Sequence, residues 1–279
     1  SMIFNERLIG GSILTNARKN ITSFLAYWFV LSLFSTASAG NLVLQESFSD
    51  KEREGTVVLS SLNENGTFIF NQNRSLELFA PASTFKILNT LIALEEGIID
   101  SEGTEFIWDG TIYENRNWNR NHTLRSAFQV SCVWCFQVIA SNIGENVYRE
   151  YLEKLDYGKF GKNFDLINFR LNGELKISAQ NQIQVLERLV KQDQVFSESV
   201  YEKFKGVMRT KFTPEYEMYS KTGWDGKVSW FVGFVISEKD IWLFAANIDA
   251  QDMGEVMKDE DVTLMQHVIK NVLQERGII

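Results

Sequence analysis

Ser83 and Lys86 stand three residues apart in Phe79-Ala-Pro-Ala-Ser-Thr-Phe-Lys-Ile-Leu-Asn-Thr-Leu-Ile-Ala-Leu94, which turns almost wholly apolar after its lysine. Pro81 suits the first turn of a helix, where its missing N–H costs nothing. Phe85, Leu88, Leu91, Ile92 and Leu94 then recur at helical spacing. The pattern predicts a helix buried within the protein, with Ser83 and Lys86 on one face. A lysine held there loses hydration, which penalises its charged form and lowers its pKa. A neutral amine beside a hydroxyl can serve as its base, and a helix N-terminus favours the developing anion. Ser and Lys three apart recur by chance about once in a chain of this length, so the pair alone decides little.

Two further groups follow in order. Ser131-Cys132-Val133 sits in an apolar helical stretch, and Lys221-Thr222-Gly223 ends a strand ahead of Trp224, Asp225 and Gly226. A contiguous Lys-Thr-Gly arises by chance in only about one such chain in twenty, so this signal carries more weight. The three groups suit acyl transfer. A serine nucleophile needs a base, a leaving nitrogen needs a proton, and a tetrahedral oxyanion needs backbone donors. Lys221 and Thr222 could hold a substrate carboxylate.

These residues must be positioned by a chain of 279 residues, 44% hydrophobic, long enough for a full-sized core. Net charge is −8 with no Lys/Arg-rich run, which argues against a nucleic-acid partner. Arg18 and Lys19 precede the apolar run Ile21 to Phe34, and Ala37-Ser38-Ala39 follows, the layout of a secretory signal. Residues 1–40 are therefore expected to be a signal peptide or apolar leader. The product would be secreted or periplasmic, or membrane-anchored if the leader is retained. Residues 41–279 form the expected catalytic domain. Strands 55–62 and 67–70 make a hairpin around Asn63-Glu-Asn-Gly66. The buried helix at 81–95 follows, then helical patterns at 123–142, 144–155, 178–192 and, more faintly, 197–210. Strands 216–222, 228–237 and 241–248 precede a last amphipathic helix over 259–275. The expected fold is α+β: an antiparallel sheet flanked by helices, plus an all-helical subdomain over roughly 98–210. The chemistry would lie at the seam between them.

Cys132-x-x-Cys135 fits a redox pair or half of a metal site. With no second Cys/His pair nearby no metal is expected, and both cysteines read as small buried core residues; their redox state stays open. His122 and His267 lie on polar or amphipathic stretches and are expected to be solvated. Trp108, Trp118, Trp224 and Trp230 read as core, with Trp224 also placed to line a cleft. Asp259-Glu260-Asp261 is expected to favour the start of the last helix.

From roughly Phe48 onward the chain resembles the class D β-lactamases, or oxacillinases. The resemblance is carried by Pro81-Ala-Ser-Thr-Phe-Lys86, Trp118-Asn-Arg-Asn-His-Thr-Leu124, Ser131-Cys-Val-Trp134, Tyr157-Gly158, Leu175-Lys-Ile-Ser-Ala179, Lys221-Thr-Gly223 and Trp230-Phe-Val-Gly233. It implies a β-lactamase/transpeptidase-like fold and a small-molecule β-lactam substrate. It also implies that Ser83 is acylated and that Lys86, carboxylated by CO2, is the base for acylation and deacylation, with no other cofactor. Ser131 would relay a proton to the ring nitrogen. Backbone N–H groups of Ser83 and Trp224 would form the oxyanion hole, while Val133 keeps the lysine dry. Lys221, Thr222, Gly223, Val133 and Trp224 would bind substrate.

Three departures qualify that inheritance. Lys159 follows Gly158 where the family carries asparagine. Phe169-Arg170-Leu171 replaces the family's Phe-Trp-Leu, whose indole N–H holds the lysine carbamate. Beyond Asn247-Ile-Asp249, Lys258 is present but the family's arginine for the substrate carboxylate is not. Arg170 could pair with a carbamate on Lys86, bring water into a site that must stay dry, or point to solvent. The expectation adopted is impaired carboxylation and slow deacylation. The rival reading is a β-lactam sensor or penicillin-binding protein that acylates without efficient release; a cell-wall peptidase or inactive relic is the third. Oligomeric state cannot be read from the sequence.

Overall fold

The alternating and β-branched runs at both ends of the chain pair with one another, not with near neighbours only. The computed structural model describes residues 44, 48, 53–63, 66–161, 174–250 and 255–279, with side chains from 259 onward in the last segment. Two units divide the chain, Ser1–Glu46 and Ser47–Ile279, and every element below belongs to the second. The leader expected over 1–40 and the triplet Phe169-Arg170-Leu171 lie outside the described residues. Among the described residues no helix is long and apolar enough to cross a membrane.

Six strands build the main sheet: β1 (Gly55–Ser61), β2 (Thr67–Phe70), β3 (Arg209–Phe212), β4 (Tyr216–Trp224), β5 (Val228–Ser237) and β6 (Ile241–Asp249). Their order is β2-β1-β6-β5-β4-β3, antiparallel throughout. The N-terminal hairpin thus docks on the last strand, with Val58 opposite Ala245, while Gly223 of β4 lies opposite Trp230 of β5. Eight successive residues of β5, Val228 to Val235, are buried, so both faces of the sheet are covered.

The helices are α1 (Gln72–Leu76), α2 (Lys86–Glu95), α3 (Leu124–Gln129), α4 (Val133–Ile143), α5 (Glu145–Leu155), α6 (Ala179–Val190), α7 (Glu198–Met208) and α8 (Glu255–Glu275). α8 packs on β4, β5 and β6. On the other face, Trp230, Val232 and Phe234 from β5 and Leu243 and Ala245 from β6 join one large core with α2, α4, α5 and α6. Alternation along a strand makes this possible, since successive side chains leave opposite faces. Side chains cap several helix starts. Ser178 accepts from the Asn181 N–H at α6, and Thr123 and Ser126 form a reciprocal box at α3.

The antiparallel sheet flanked by helices is as expected, but several boundaries differ. The helix expected over 123–142 is two helices, because Ser131 takes φ +53°, a left-handed value a helix cannot contain. The helix expected to run to 210 stops at Met208, and Arg209 opens β3 against β4. α8 begins at Glu255, so the acidic triplet lies inside the helix and not at its start. Asp261 is fully buried and ion-paired with buried Arg53.

Candidate active site

Ser83 sits in a tight turn, Ala82–Phe85, that leads straight into α2. Pro81 sets φ −68°, and its carbonyl accepts from both the Thr84 N–H (3.1 Å) and the Thr84 hydroxyl (2.6 Å). Gln182 of α6 donates to the same hydroxyl at 3.0 Å. Ala82, immediately before the serine, is held at φ +48°, a strained value for a residue with a Cβ. The approach to the turn is fixed from two sides. Phe79 exchanges backbone hydrogen bonds with Ile177 (3.0 and 2.8 Å), and the Trp230 indole N–H donates to the Ala80 carbonyl at 2.9 Å. This explains Trp230: its body fills the core and its N–H holds the segment ahead of the nucleophile.

Lys86 begins α2 one turn after Ser83 and is 0% exposed. Its Nζ lies 2.9 Å from Ser83 Oγ and 5.1 Å from the centre of the Phe136 ring. The sequence placed these two on one face of a buried helix, and both the burial and the contact are present.

Ser131 enters from the break between α3 and α4. Lys221, on β4, donates to Ser131 Oγ at 2.5 Å and to the Thr222 carbonyl at 3.0 Å. The positive φ of Ser131 is what turns its side chain out of the helical path toward the strand. Gly223 permits the closest approach in the site. A Cβ there would fall 2.9 Å from Thr84 Cγ2 and 3.0 Å from the Pro81 carbonyl oxygen. Because Gly223 has none, β4 presses against the nucleophile turn, and the next residue, Trp224, reaches the same cleft.

That cleft, of about 550 Å³, is lined by Ser83, Ser131, Val133, Thr222, Gly223 and Trp224, together with Trp118. It brings the three sequence groups together at one place. Its other walls were not legible in the sequence: Asn115 and Asn117 from the loop before Trp118, Gln129, Asp225, and Asp259 and Val262 from α8. No motif marks them; they come from loops, the end of α3 and the distant α8. Trp118 is pinned at the rim, donating to the Val130 carbonyl at 3.0 Å and accepting at its own carbonyl from Trp134 at 2.9 Å.

Beside the cleft one open question is answered and one expectation, for His122, needs correction. Cys132 and Cys135 are fully buried as expected, but they are joined by a disulfide. His122 is not solvated: it is 2% exposed, its Nδ1 lies 3.1 Å from Ser126 Oγ, and its ring rests near Trp134. Burial first, then the neighbouring charge of Arg120, holds its pKa below the ordinary histidine value. His267, by contrast, is exposed on α8 as expected. The Lys258 side chain is outside the described residues.

The sequence matches the family model described as penicillin binding protein transpeptidase domain over residues 40–274. It is 35% identical to Beta-lactamase OXA-20 of Pseudomonas aeruginosa over 229 residues, which is 81% of this chain and 84% of that one. Beta-lactamase OXA-48 of Klebsiella pneumoniae is 34% identical over 83% of this chain and 87% of its own. The chain belongs to the class D β-lactamases. The fold agrees. The class D β-lactamase YbXI from Nostoc superimposes with TM-score 0.78 at 31% identity, covering 84% of this chain and 98% of its own. FUS-1 (OXA-85), a class D β-lactamase from Fusobacterium nucleatum subsp. polymorphum, gives 0.79 at 29%, over 85% and 98%. Within this class D β-lactamase, several of the motifs that carried the resemblance meet at the cleft, among them those of Ser83 and Lys86, of Ser131, and of Lys221-Thr222-Gly223.

Proposed function

We propose that the chain hydrolyses β-lactams through an acyl-enzyme on Ser83. The observation that carries this reading is the fully buried Lys86 amine 2.9 Å from the Ser83 hydroxyl. Burial favours the uncharged amine, which can accept the hydroxyl proton as Ser83 Oγ attacks the ring carbonyl. The carbonyl electrons move to oxygen, and the backbone N–H groups of Ser83 and Trp224 are assigned to hold that oxyanion. Its collapse breaks the ring C–N bond. Ser131 gives its proton to the leaving nitrogen, and Lys221, 2.5 Å from Ser131 Oγ, resupplies it. Water then attacks the Ser83 ester with Lys86 as base and releases the open product. Lys221 and Thr222 are the groups assigned to the substrate carboxylate, since the stretch from Asp249 to Glu275 contains no arginine.

Carboxylation of Lys86 by CO2 is part of the proposal. A buried, uncharged amine facing Phe136 suits that reaction, in which the amine nitrogen bonds the CO2 carbon and gives up a proton. Arg170, in place of the family's tryptophan, is the residue we assign to weakening it, which would slow deacylation. The same substitution favours the second reading, a β-lactam sensor or penicillin-binding protein in which the adduct persists. Export through residues 1–40 is likewise proposed, and N-terminal sequencing of the exported chain tests it.

Intact-mass measurement after exposure to excess penicillin tests the main reading. The protein should gain one ligand mass, and Ser83→Ala should gain none; an adduct on Ser83→Ala, or none on the parent, overturns it. Burst kinetics separate the two readings, since an enzyme continues to release product after the burst and a sensor does not. Strong activation by bicarbonate, with labelled carbonate on Lys86, would overturn the assignment of Arg170.

A further inference from the structure

Beside the cleft lies a cluster that ring opening does not use. Cys132 and Cys135 flank the first turn of α4, with Cα atoms 5.5 Å apart and the Cys135 N–H directed at Cys132 Sγ (3.3 Å). His122 joins them from the residues just before α3, where His122-Thr123 pairs antiparallel with Glu105-Phe106. One of its ring nitrogens and the two sulfur atoms all lie within 4.8 Å of one another, and all three residues are buried. Nδ1 is engaged by Ser126, whereas Nε2 is buried with no close hydrogen-bond partner among the described residues. A buried polar atom left unpaired is costly and calls for an explanation.

We propose that, once the Cys132–Cys135 disulfide is reduced, His122, Cys132 and Cys135 form a buried site for a soft d10 cation, cuprous copper or zinc. In the oxidised chain the sulfurs are bonded to each other and cannot act as thiolate ligands. A dithiol reductant would deliver two electrons to the S–S bond and leave as its own disulfide, while two protons complete the thiols. The cation then displaces both thiol protons and takes a ring nitrogen of His122 as third ligand. Two thiolates are soft donors and the imidazole is a borderline one. A three-ligand set suits cuprous copper, and zinc would add a water as fourth. The proximity that forms the disulfide also provides the chelate, because residues three apart at a helix start share a face.

The location gives binding a consequence. Cys132 is covalently next to Ser131, whose left-handed backbone aims its hydroxyl at Lys221. A metal held by Cys132 would pull on that backbone, so on the hydrolytic reading the loaded protein should acylate at least tenfold more slowly than the oxidised one.

The test begins with binding, which does not depend on that reading. The full chain is reduced under anaerobic conditions and titrated separately with cuprous copper and with zinc against a chromophoric chelator. The expected result is one equivalent of either ion held by the reduced protein, none by the oxidised protein, and a thiolate charge-transfer band for copper. His122→Gln and Cys135→Ser should each weaken binding by tenfold or more, with far-ultraviolet circular dichroism confirming that both variants are folded. If one variant fails to fold, the other carries the comparison. Neither ion held by the reduced parent, or equal binding by a folded His122→Gln, overturns the site. Metal binding without slower penicillin acylation overturns only the coupling to Ser131.

Discussion

At the scale of single residues, catalytic roles separate by what each side chain touches. Replacing Lys86 by alanine removes the base beside Ser83, and acylation by a penicillin should slow by about 10²-fold or more in stopped-flow traces. Ser131→Ala should leave binding of the intact ring largely in place and slow its opening, because the lost group serves the leaving nitrogen. An unchanged acylation rate in both variants would contradict the assignment. Ser83, Lys86 and Lys221-Thr222-Gly223 were legible because each set is local, so that chemistry and geometry lie within one turn or one strand end. His122 was not legible. Its polar neighbours Arg120 and Asn121 suggest solvent, yet the ring is drawn in by Ser126 and Trp134, contacts that only the folded chain supplies. The residues at 169–171, where the sequence departs most sharply from the family, fall outside the described structure, so their effect rests on kinetics.

At the scale of elements, the site depends on how closely β4 approaches the nucleophile turn. A methyl group at Gly223 would meet Thr84 and the Pro81 carbonyl at 2.9 and 3.0 Å, so Gly223→Ala must push strand and turn apart. We expect a loss of about 1–3 kcal/mol in a urea melt and a fall in acylation larger than that instability explains. Farther along the same strand, the Tyr219 hydroxyl donates to the Glu217 carboxylate at 2.6 Å, and that bond, with Arg209 assisting, holds the Glu217 pKa below the ordinary value. A depressed carboxylate stabilises the fold above its unfolded pKa, and that contribution disappears as the pH falls through the folded value. Tyr219→Phe should therefore cost a fraction of a kcal/mol near pH 7, the pair being partly solvated, and the difference should vanish in acid. Melting curves of both proteins from pH 7 down to about 3 would show it. Helical periodicity located α5, α6 and α7 to within two residues, since their apolar stripes face one core. It could not show the break at Ser131, because the apolar spacing continues across Val130 and Val133 while the backbone reverses its φ.

At the scale of the whole molecule, charges bind the two ends of the described chain. Arg53 and Asp261 are both buried and paired, and Arg53 also donates to the Asp249 carbonyl at 3.4 Å. Arg74 donates to Asn247 at 2.8 Å and Asp249 at 2.7 Å. Asp261→Asn would leave the Arg53 guanidinium buried without its counter-charge, and we expect a loss of about 3–5 kcal/mol in chemical denaturation. A loss below 1 kcal/mol would mean that water reaches Arg53. The strand order could not be derived from spacing alone. Nothing local says that β1 should pair with β6. The same order has a kinetic consequence. The Arg53–Asp249 bond spans 196 positions, and β1 cannot meet its inner neighbour until nearly all of the sequence has been made. A nascent polypeptide still lacking 241–249 carries two open hydrogen-bonding edges, on β1 and on β5. It must be shielded from self-association until the last strand slots between them.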